Sequence, residues 1–143
     1  MEIKSLTKPK ALELANECSE YISKLRNFSK KEEEISKKEI IELINSEDIK
    51  IKGFDKKAII IYGYKDKKPY IFLLYVVPEE RKKGLAKKLI DFALNDLSKN
   101  TLYLSVDNNN PAINFYKKIG FIKIDKNKLS TELKLTKFKY FNY

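Results

Sequence analysis

The sequence VVPEERKKGLAKKLI, residues 76–90, joins an apolar segment to an amphipathic one and decides the fold. Pro78 predicts the end of a strand, because proline cannot donate to a sheet ladder. Apolar residues then recur at three- and four-residue intervals and predict a helix from about Gly84 to Leu97. The unpaired N–H groups and the positive dipole end of that helix would lie at the edge of a sheet. This junction is therefore a candidate anion site.

The residues of the junction suit a phosphate. Gly84 and Ala86 would let the main chain approach an anion closely, and Lys82 and Lys83 add positive charge. An ordinary strand-to-helix loop in a lysine-rich protein explains the same residues equally well. The segment alone does not choose between the two interpretations.

Upstream, the pattern predicts two helices. Residues 10–27 place apolar side chains at helical intervals, and Cys18 falls on their apolar face as a small hydrophobe. The second helix is predicted to begin at Ser36 as the N-cap, with Glu39 three residues later. The charged run of residues 30–34 is then a solvated connection between the helices.

Strands follow on both sides of the junction. The segment 70–77 is apolar throughout, which predicts a strand covered on both faces at the centre of a sheet. A short helix is predicted between Asn110 at the N-cap, with Pro111 at the first helical position, and Gly120 just past the end. The other predicted strands are residues 49–52, 58–64, 101–106, 121–124 and 129–138, with a candidate short strand at 2–6.

This order predicts a single domain over residues 1–143 of the α+β (α/β) class. Its mixed, mostly antiparallel sheet of six or seven strands would be flanked by about four helices. The strand, helix and strand between residues 70 and 106 would form a right-handed parallel crossover.

The composition excludes several kinds of site. The chain has no histidine and one cysteine, so no zinc site, internal disulfide or Ser-His pair is expected, and no metal. The formal net charge is +10, yet Arg26 and Arg81 are the only arginines. Because lysine lacks the bidentate fork of arginine, general solvation is favoured over nucleic-acid binding. The field would still favour an anionic ligand.

No apolar run approaches the roughly 20 residues that span a bilayer, and the N-terminus lacks the pattern of a secretory signal. We therefore expect a cytoplasmic protein without a membrane partner. The sequence leaves open whether it is a monomer or a homodimer.

A second segment, residues 106–121, combines three asparagines with a short aromatic helix. Taken alone, Tyr116 is a core aromatic and the asparagines form a turn. Taken with residues 76–86, at this spacing and in this order, the segment resembles the GCN5-related N-acetyltransferase (GNAT) superfamily. The compact size and the second segment are similar to its ribosomal-protein N-terminal acetyltransferase branch. The matching positions are Arg81, Gly84 and Ala86 in the first motif, and Asn109, Ala112, Phe115, Tyr116, Gly120 and Phe121 in the second.

The resemblance implies acetyl-CoA as co-substrate. The main chain of Leu74, Tyr75 and Val76 would pair with the pantetheine arm like an added strand, in a slot where the strand at 101–106 splays away. Asn109 would touch the pantetheine, and Tyr116 would lie near the sulfur. The pyrophosphate would be held by Arg81, Lys82, Lys83, Gly84, Leu85, Ala86 and Lys87.

The implied reaction is acetyl transfer to a primary amine of a protein N-terminus, a lysine or a small molecule, by direct attack in a ternary complex. A main-chain N–H near Val76 would polarise the thioester carbonyl, and Tyr116 would act as the general acid to the thiolate. Many relatives have a carboxylate base on one of the two splayed strands, but segments 70–77 and 101–106 contain none. Ser105 stands where some relatives have glutamate. Asp107, Glu79, Glu80 and a water chain ending on a tyrosine all stay open.

In this family the acceptor groove is usually shaped by the connection between the first two helices and by the last hairpin, here residues 27–35 and 124–136. The acidic residues 32–34 fall there, and solvated surface is favoured over a site for a cationic amine. Two other functions stay open: a GNAT-like domain that binds acyl-CoA without turnover, and a lysine-rich nucleic-acid-binding module.

Overall fold

The computed structural model describes residues 2–136, which form a seven-stranded sheet in the order β1-β2-β3-β4-β5-β7-β6. All neighbouring strands are antiparallel except β4 and β5, which are parallel. The elements are β1 Lys4–Ser5, α1 Lys8–Leu25, α2 Lys30–Ile44, β2 Ile49–Phe54, β3 Ala58–Lys65, β4 Lys68–Val76, α3 Leu85–Leu97, β5 Thr101–Asp107, α4 Ala112–Lys118, β6 Ile122–Lys126 and β7 Ser130–Thr136. The predicted mixed fold with four helices is confirmed. Residues 137 and 138 of the last predicted strand lie outside the described residues.

Two apolar cores lie on opposite faces of the sheet. On one face, α3 packs on β3 and β4, and its buried Leu89 and Ile90 share a core with Leu104 of β5 and Leu133 of β7. On the other face, α1 packs on β3 and β4, and α2 packs on β2. The second core contains Ile59, which is fully buried. On that second face, the side chains of β5 and β7 are half-buried or exposed.

The start of α2 differs from the prediction. A capping box at Ser29 begins the helix. The Glu32 N–H donates to Ser29 Oγ at 3.2 Å, and the Ser29 N–H donates to Glu32 Oε1 at 3.1 Å. The prediction of Ser36 as the N-cap is wrong. Both Ser29 and Ser36 have a glutamate three residues later, as a capping box requires, and it is the earlier pair that forms the cap. Residues 30–34 are the first turn of the helix, where acidic side chains complement its dipole.

This correction also shortens the connection between α1 and α2 to residues 26–29. Most of the segment 27–35 that was predicted to border an acceptor groove is therefore helical. Ser36 instead lies within α2, where its hydroxyl is 3.0 Å from that of Ser19 on α1.

Two smaller boundaries also differ. The strand predicted over residues 49–52 extends through Gly53 to Phe54 as β2, and a Cβ on Gly53 would collide with the oxygen of Ala58. Pro111 occupies the cap position predicted for Asn110, although the Asn110 side chain still accepts the Ala112 N–H at 2.9 Å. Gly120 follows the helix with φ 115°, as predicted for its C-terminal end.

No helix within residues 2–136 combines the length and the apolar character that a membrane span requires.

Replacing Ser29 by alanine should lower the free energy of unfolding by about 1 kcal/mol, because the Glu32 N–H loses its acceptor at the start of α2. Urea denaturation followed by circular dichroism measures the change. The control is Lys30→Ala, one residue further on and equally exposed, which should leave stability nearly unchanged. Equal effects of the two substitutions would contradict the capping role.

Candidate active site

The central parallel pair of strands opens into a cleft. Strands β4 and β5 pair only at Tyr70 with Tyr103 and at Ile71 with Leu104. Immediately after Ile71, the register between β3 and β4 shifts: Ile71 is opposite Tyr62 but Leu73 is opposite Ile61, which leaves Phe72 as the extra residue of a bulge. A bulge bends the strand that contains it. The rest of β4 therefore follows β3 and leaves β5.

Beyond the bulge, alternate peptide groups of β4 face the gap. The Val77 N–H donates to the Lys57 oxygen at 2.9 Å, so Val77 faces β3. Because hydrogen-bonded and non-hydrogen-bonded pairs alternate along antiparallel strands, the main chain of Tyr75 also faces β3. The main chain of Leu74 and of Val76 faces the opposite edge, toward β5. Two of the three residues predicted to pair with a pantetheine arm thus direct main-chain groups into the gap.

The cleft has a volume of about 240 Å³ and is bordered by both central strands and by three helices. Strand β5 contributes Ser105 and Asp107, α4 contributes Tyr116, and the loop before α4 contributes Asn110. The cleft thus brings together residues distant in the sequence. The lining residues from β4 and from α1 and α2 are Ile71, Phe72, Leu73, Leu74, Cys18, Ser19, Ile22, Ser36 and Ile40.

Sequence reasoning missed several of these residues. The prediction for the loop before α4 was Asn109, but Asn109 is exposed and does not border the cleft, whereas Asn110 does. Ser19 and Ser36 come from the two helices whose connection was misplaced, and no local pattern singles them out.

The turn before α3 presents free donors, as its sequence predicted. The first N–H to bond within the helix is that of Lys88, which donates to the Gly84 oxygen at 3.1 Å. Within residues 2–136, the N–H groups of Leu85, Ala86 and Lys87 have no hydrogen-bond partner. Gly84 has φ 82° and Lys82 has φ 66°. Donors exposed in such a turn can bind an anion.

Arg81 connects this turn to the open edge of β4. Its Nε donates to the Val76 oxygen at 2.9 Å, so the side chain binds a carbonyl that β5 leaves unpaired. The guanidinium also lies 5.1 Å from the ring centroid of Tyr21 and 5.6 Å from that of Tyr75. The Tyr75 hydroxyl in turn donates to Glu17 Oε2 at 2.7 Å. Arg81 thereby holds the end of β4 against α1.

The lysines around the turn differ in their ion-pair partners. Lys82 and Lys83 are exposed, and Lys83 Nζ lies 3.1 Å from Glu80 Oε2. Lys87 Nζ lies 3.3 Å from Asp91 Oδ2. These exposed ion pairs are weak and would exchange readily for a bound anion.

Tyr116 is buried where α4 meets the cleft. Its side chain is 8% exposed and packs edge-on against Phe115 and Phe121, with ring centroids 5.5 Å and 5.4 Å away. Burial raises the pKa of the Tyr116 hydroxyl far above its ordinary value, because the phenolate would be poorly solvated. The hydroxyl therefore keeps its proton at neutral pH.

Cys18 borders the same cleft. Burial raises the pKa of its thiol to about 12; Arg81 lowers it and Glu17 raises it to smaller extents. Since the thiolate is the nucleophilic form, Cys18 is a poor nucleophile. The expectation of a small hydrophobe fits this environment.

The carboxylates named as candidate bases are largely engaged. Lys57 and Lys83 both contact Glu80, and the hydrogen bond from Lys83 is the largest of the causes that lower its pKa. A lowered pKa makes Glu80 a weaker base. Asp107 pairs with Arg26 at 3.5 Å. Glu79 is exposed in the turn after β4.

An opened sheet beside a helix N-terminus, with a buried tyrosine at the gap, is the architecture implied for an acetyltransferase of the GNAT class. A family model described as an acetyltransferase (GNAT) domain matches residues 14–140. The chain belongs to this family. No curated protein sequence matches it.

Solved structures share the fold at low sequence identity. The N-acetyltransferase PaiA from Thermoplasma acidophilum, solved with coenzyme A, has a TM-score of 0.74 at 22% identity, covering 94% of this chain and 98% of that one. An acetyltransferase from Thermus thermophilus has a TM-score of 0.72 at 16% identity, with coverage of 94% and 96%. The ribosomal-protein-S18-alanine N-acetyltransferase from Escherichia coli has a TM-score of 0.66 at 19% identity, with coverage of 94% and 92%. These likenesses confirm the GNAT fold.

Replacing Arg81 by lysine should lower the free energy of unfolding by about 1 kcal/mol, although the charge is kept, because the bond to the Val76 oxygen and the stacking on two tyrosines are lost. Thermal or urea unfolding measures the loss. Lys88→Ala, which removes an exposed charge from α3, is the control and should be nearly neutral. An Arg81→Lys variant as stable as the wild type would contradict the role of Arg81 at the end of β4.

Proposed function

We propose that this protein transfers an acetyl group from acetyl-CoA to a primary amine, by direct attack within a ternary complex. The observation that carries the proposal is the gap between β4 and β5, toward which the main chain of Leu74 and Val76 faces, with Leu74 and Tyr116 lining the same cleft. Family membership supports acetyl transfer. The acceptor is proposed only as an amine.

The residues around the gap suit two parts of coenzyme A, the pantetheine arm and the pyrophosphate. Main-chain groups of Leu74 would bind the amide-containing pantetheine arm in the way that a sheet edge binds an added strand, which leaves the Val76 N–H for the thioester carbonyl. The free N–H groups of Leu85, Ala86 and Lys87, with nearby Lys82 and Lys83, would bind the pyrophosphate. Acetyl-CoA supplies the activated acyl group, and the protein supplies its orientation.

The Val76 N–H is the proposed polarising donor. It faces the gap, whereas the Val76 oxygen is already bound by Arg81. A fixed N–H donor aimed at a carbonyl stabilises the negative charge that develops there during acyl transfer. Arg81 would thus act indirectly, because it fixes the peptide chain that carries this donor.

Tyr116 is the proposed general acid to the departing sulfur. Its ordinary pKa of about 10 already lies above the value of about 8.5 for a thiol, and burial raises it further. The same desolvation makes a thiolate in the cleft more basic, which offsets the weaker acidity of the buried phenol. The general acid must stay protonated until the C–S bond breaks, and a tyrosine with a raised pKa does so.

Direct attack is favoured over an acetylated enzyme. Cys18 is the only cysteine of the chain, and burial holds its thiol in the protonated form. No histidine is present to activate it. The amine would therefore attack the thioester itself.

Acetyl-CoA should raise the melting temperature by several degrees, because a ligand at a hundredfold excess over its Kd stabilises the folded state by about 2.7 kcal/mol. Differential scanning fluorimetry measures the shift. Duplex DNA and ATP, which are polyanions without a pantetheine arm, serve as controls and should shift it less. No shift at millimolar acetyl-CoA would rule out both transfer and simple acyl-CoA binding, and a larger shift with DNA would support the nucleic-acid alternative.

The substitution Tyr116→Phe should lower kcat about a hundredfold or more, because the ring packing stays while the proton donor is removed. Labelled acetyl-CoA and a panel of primary amines provide the assay, and the melting-temperature shift with acetyl-CoA should be retained. Tyr64→Phe, on an exposed tyrosine of β3, is the control. Full-rate transfer by the Tyr116→Phe variant would remove Tyr116 from the mechanism. Acetyl-CoA binding by the wild type without any transfer would favour the non-catalytic alternative.

A further inference from the structure

The acceptor side of the cleft can be located from the faces of the sheet. Leu104 and Leu133 lie in the core under α3, so their neighbours Ser105 and Glu132 point to the opposite face, because side chains alternate along a strand. Ser105 borders the cleft on that face, as do Ser19 and Ser36. Tyr116 reaches the cleft from the α3 side. An amine that approaches a thioester beside Tyr116 from the open face would meet Ser105.

Glu132 lies directly beside that position. Ser105 and Glu132 are opposite each other in the antiparallel pair of β5 and β7. Side chains opposite each other in such a pair have Cβ atoms about 4.5–5.5 Å apart. Ser105 is small and exposed, so its own side chain fills little of the space between the cleft and Glu132. Neither β4 nor the part of β5 before Asp107 contains a carboxylate. Glu132 provides one on β7, the next strand of the sheet.

Three other carboxylates of this region already have partners, and Glu79 is exposed in the turn after β4. Asp107 pairs with Arg26, Glu80 pairs with Lys57 and Lys83, and Glu17 accepts from Tyr75. Among the described residues 2–136, Glu132 has no ion-pair partner and its carboxylate accepts no hydrogen bond. It is half-buried and remains available to a ligand.

The Glu132 carboxylate is near enough to the Tyr70 hydroxyl for its charge to influence the pKa of that hydroxyl. Burial raises the pKa of the Tyr70 hydroxyl; to smaller extents the positive charge of Lys65 lowers it and the negative charge of Glu132 raises it. Tyr70 is on β4, two strands from Glu132. The charge of Glu132 therefore acts on a residue of the strand that borders the cleft.

From this placement we propose that Glu132 is the catalytic carboxylate that contacts the acceptor amine and takes up its proton. The inference rests on the proposed acetyl transfer and adds the base that the two splayed strands lack. It also defines the acceptor as a cationic primary amine that enters over β5 and β7, on the face opposite α3.

The proton balance is as follows. The ammonium group gives one proton to the Glu132 carboxylate and becomes a neutral amine, whose lone pair forms the C–N bond as the C–S bond breaks. The nitrogen loses a second proton to water. Tyr116 gives its proton to the sulfur and recovers one from water, and Glu132 releases its proton to solvent. The products are the amide, the free thiol of coenzyme A and one proton.

The test compares Glu132→Gln with Asp125→Asn in the full-length protein. Asp125 lies opposite Glu132 on the edge strand β6, further from the cleft, and accepts the Lys126 N–H at 2.8 Å. The probes are a peptide with a free N-terminal alanine, a lysine peptide with a blocked N-terminus, and spermidine, each with labelled acetyl-CoA. Glu132→Gln should lower kcat/KM about a hundredfold or more. Its melting temperature and its shift with acetyl-CoA should stay unchanged, and Asp125→Asn should resemble the wild type.

A second variant separates the carboxylate from the fold. Adding Ser105→Glu to Glu132→Gln places a carboxylate on the opposite member of the same pair and should restore part of the lost activity. Equal activity of Glu132→Gln and the wild type would overturn the role of Glu132 while leaving acetyl transfer intact. A wild type that binds acetyl-CoA but acetylates none of the three probes would overturn both proposals.

Discussion

The loss of pairing between β4 and β5 is the constraint on which the site depends. A sheet normally satisfies the peptide groups of its central strands, and an unpaired buried group costs free energy. Here the bulge at Phe72 ends the parallel ladder after two residue pairs, in the middle of the sheet. Arg81 binds one of the freed carbonyls, that of Val76. The remaining groups face a cleft, and an extended ligand rich in amides could pair with them.

Local chemistry explains why much of this fold could be predicted from the sequence. Pro78 and Gly84 set the strand-to-helix junction, and Pro111 and Gly120 bound α4, because each residue restricts the backbone wherever it occurs. The start of α2 was not decided in this way. Two serine-glutamate pairs, seven residues apart, both fit a capping box, and a local rule cannot choose between them. The contact of Ser36 with Ser19 shows that its face of the helix packs toward α1.

The less predictable features are those that depend on strand register. At the bulge, Leu73 and not Phe72 lies opposite Ile61. No residue of segment 70–77 indicates from its sequence that Phe72 is the extra one. The same holds for the side chain of Arg81, whose position follows from where β4 ends relative to α1. Sequence reasoning therefore named β4, β5 and α4, which border the cleft, but not the sides of α1 and α2 that also border it, nor which asparagine does.

Register also explains why a functional carboxylate is hard to find by reading along one strand. Neither β4 nor β5 before Asp107 contains a carboxylate, so the two strands that border the gap have no base of their own there. A sheet places its functional groups by face and by cross-strand neighbour, however, and opposite residues are separated by little more than the length of a side chain. Glu132 occupies the same row of the same face as Ser105. Moving a carboxylate from one strand to its partner changes the sequence position by many residues but its location in the molecule by one strand spacing, about 4.8 Å.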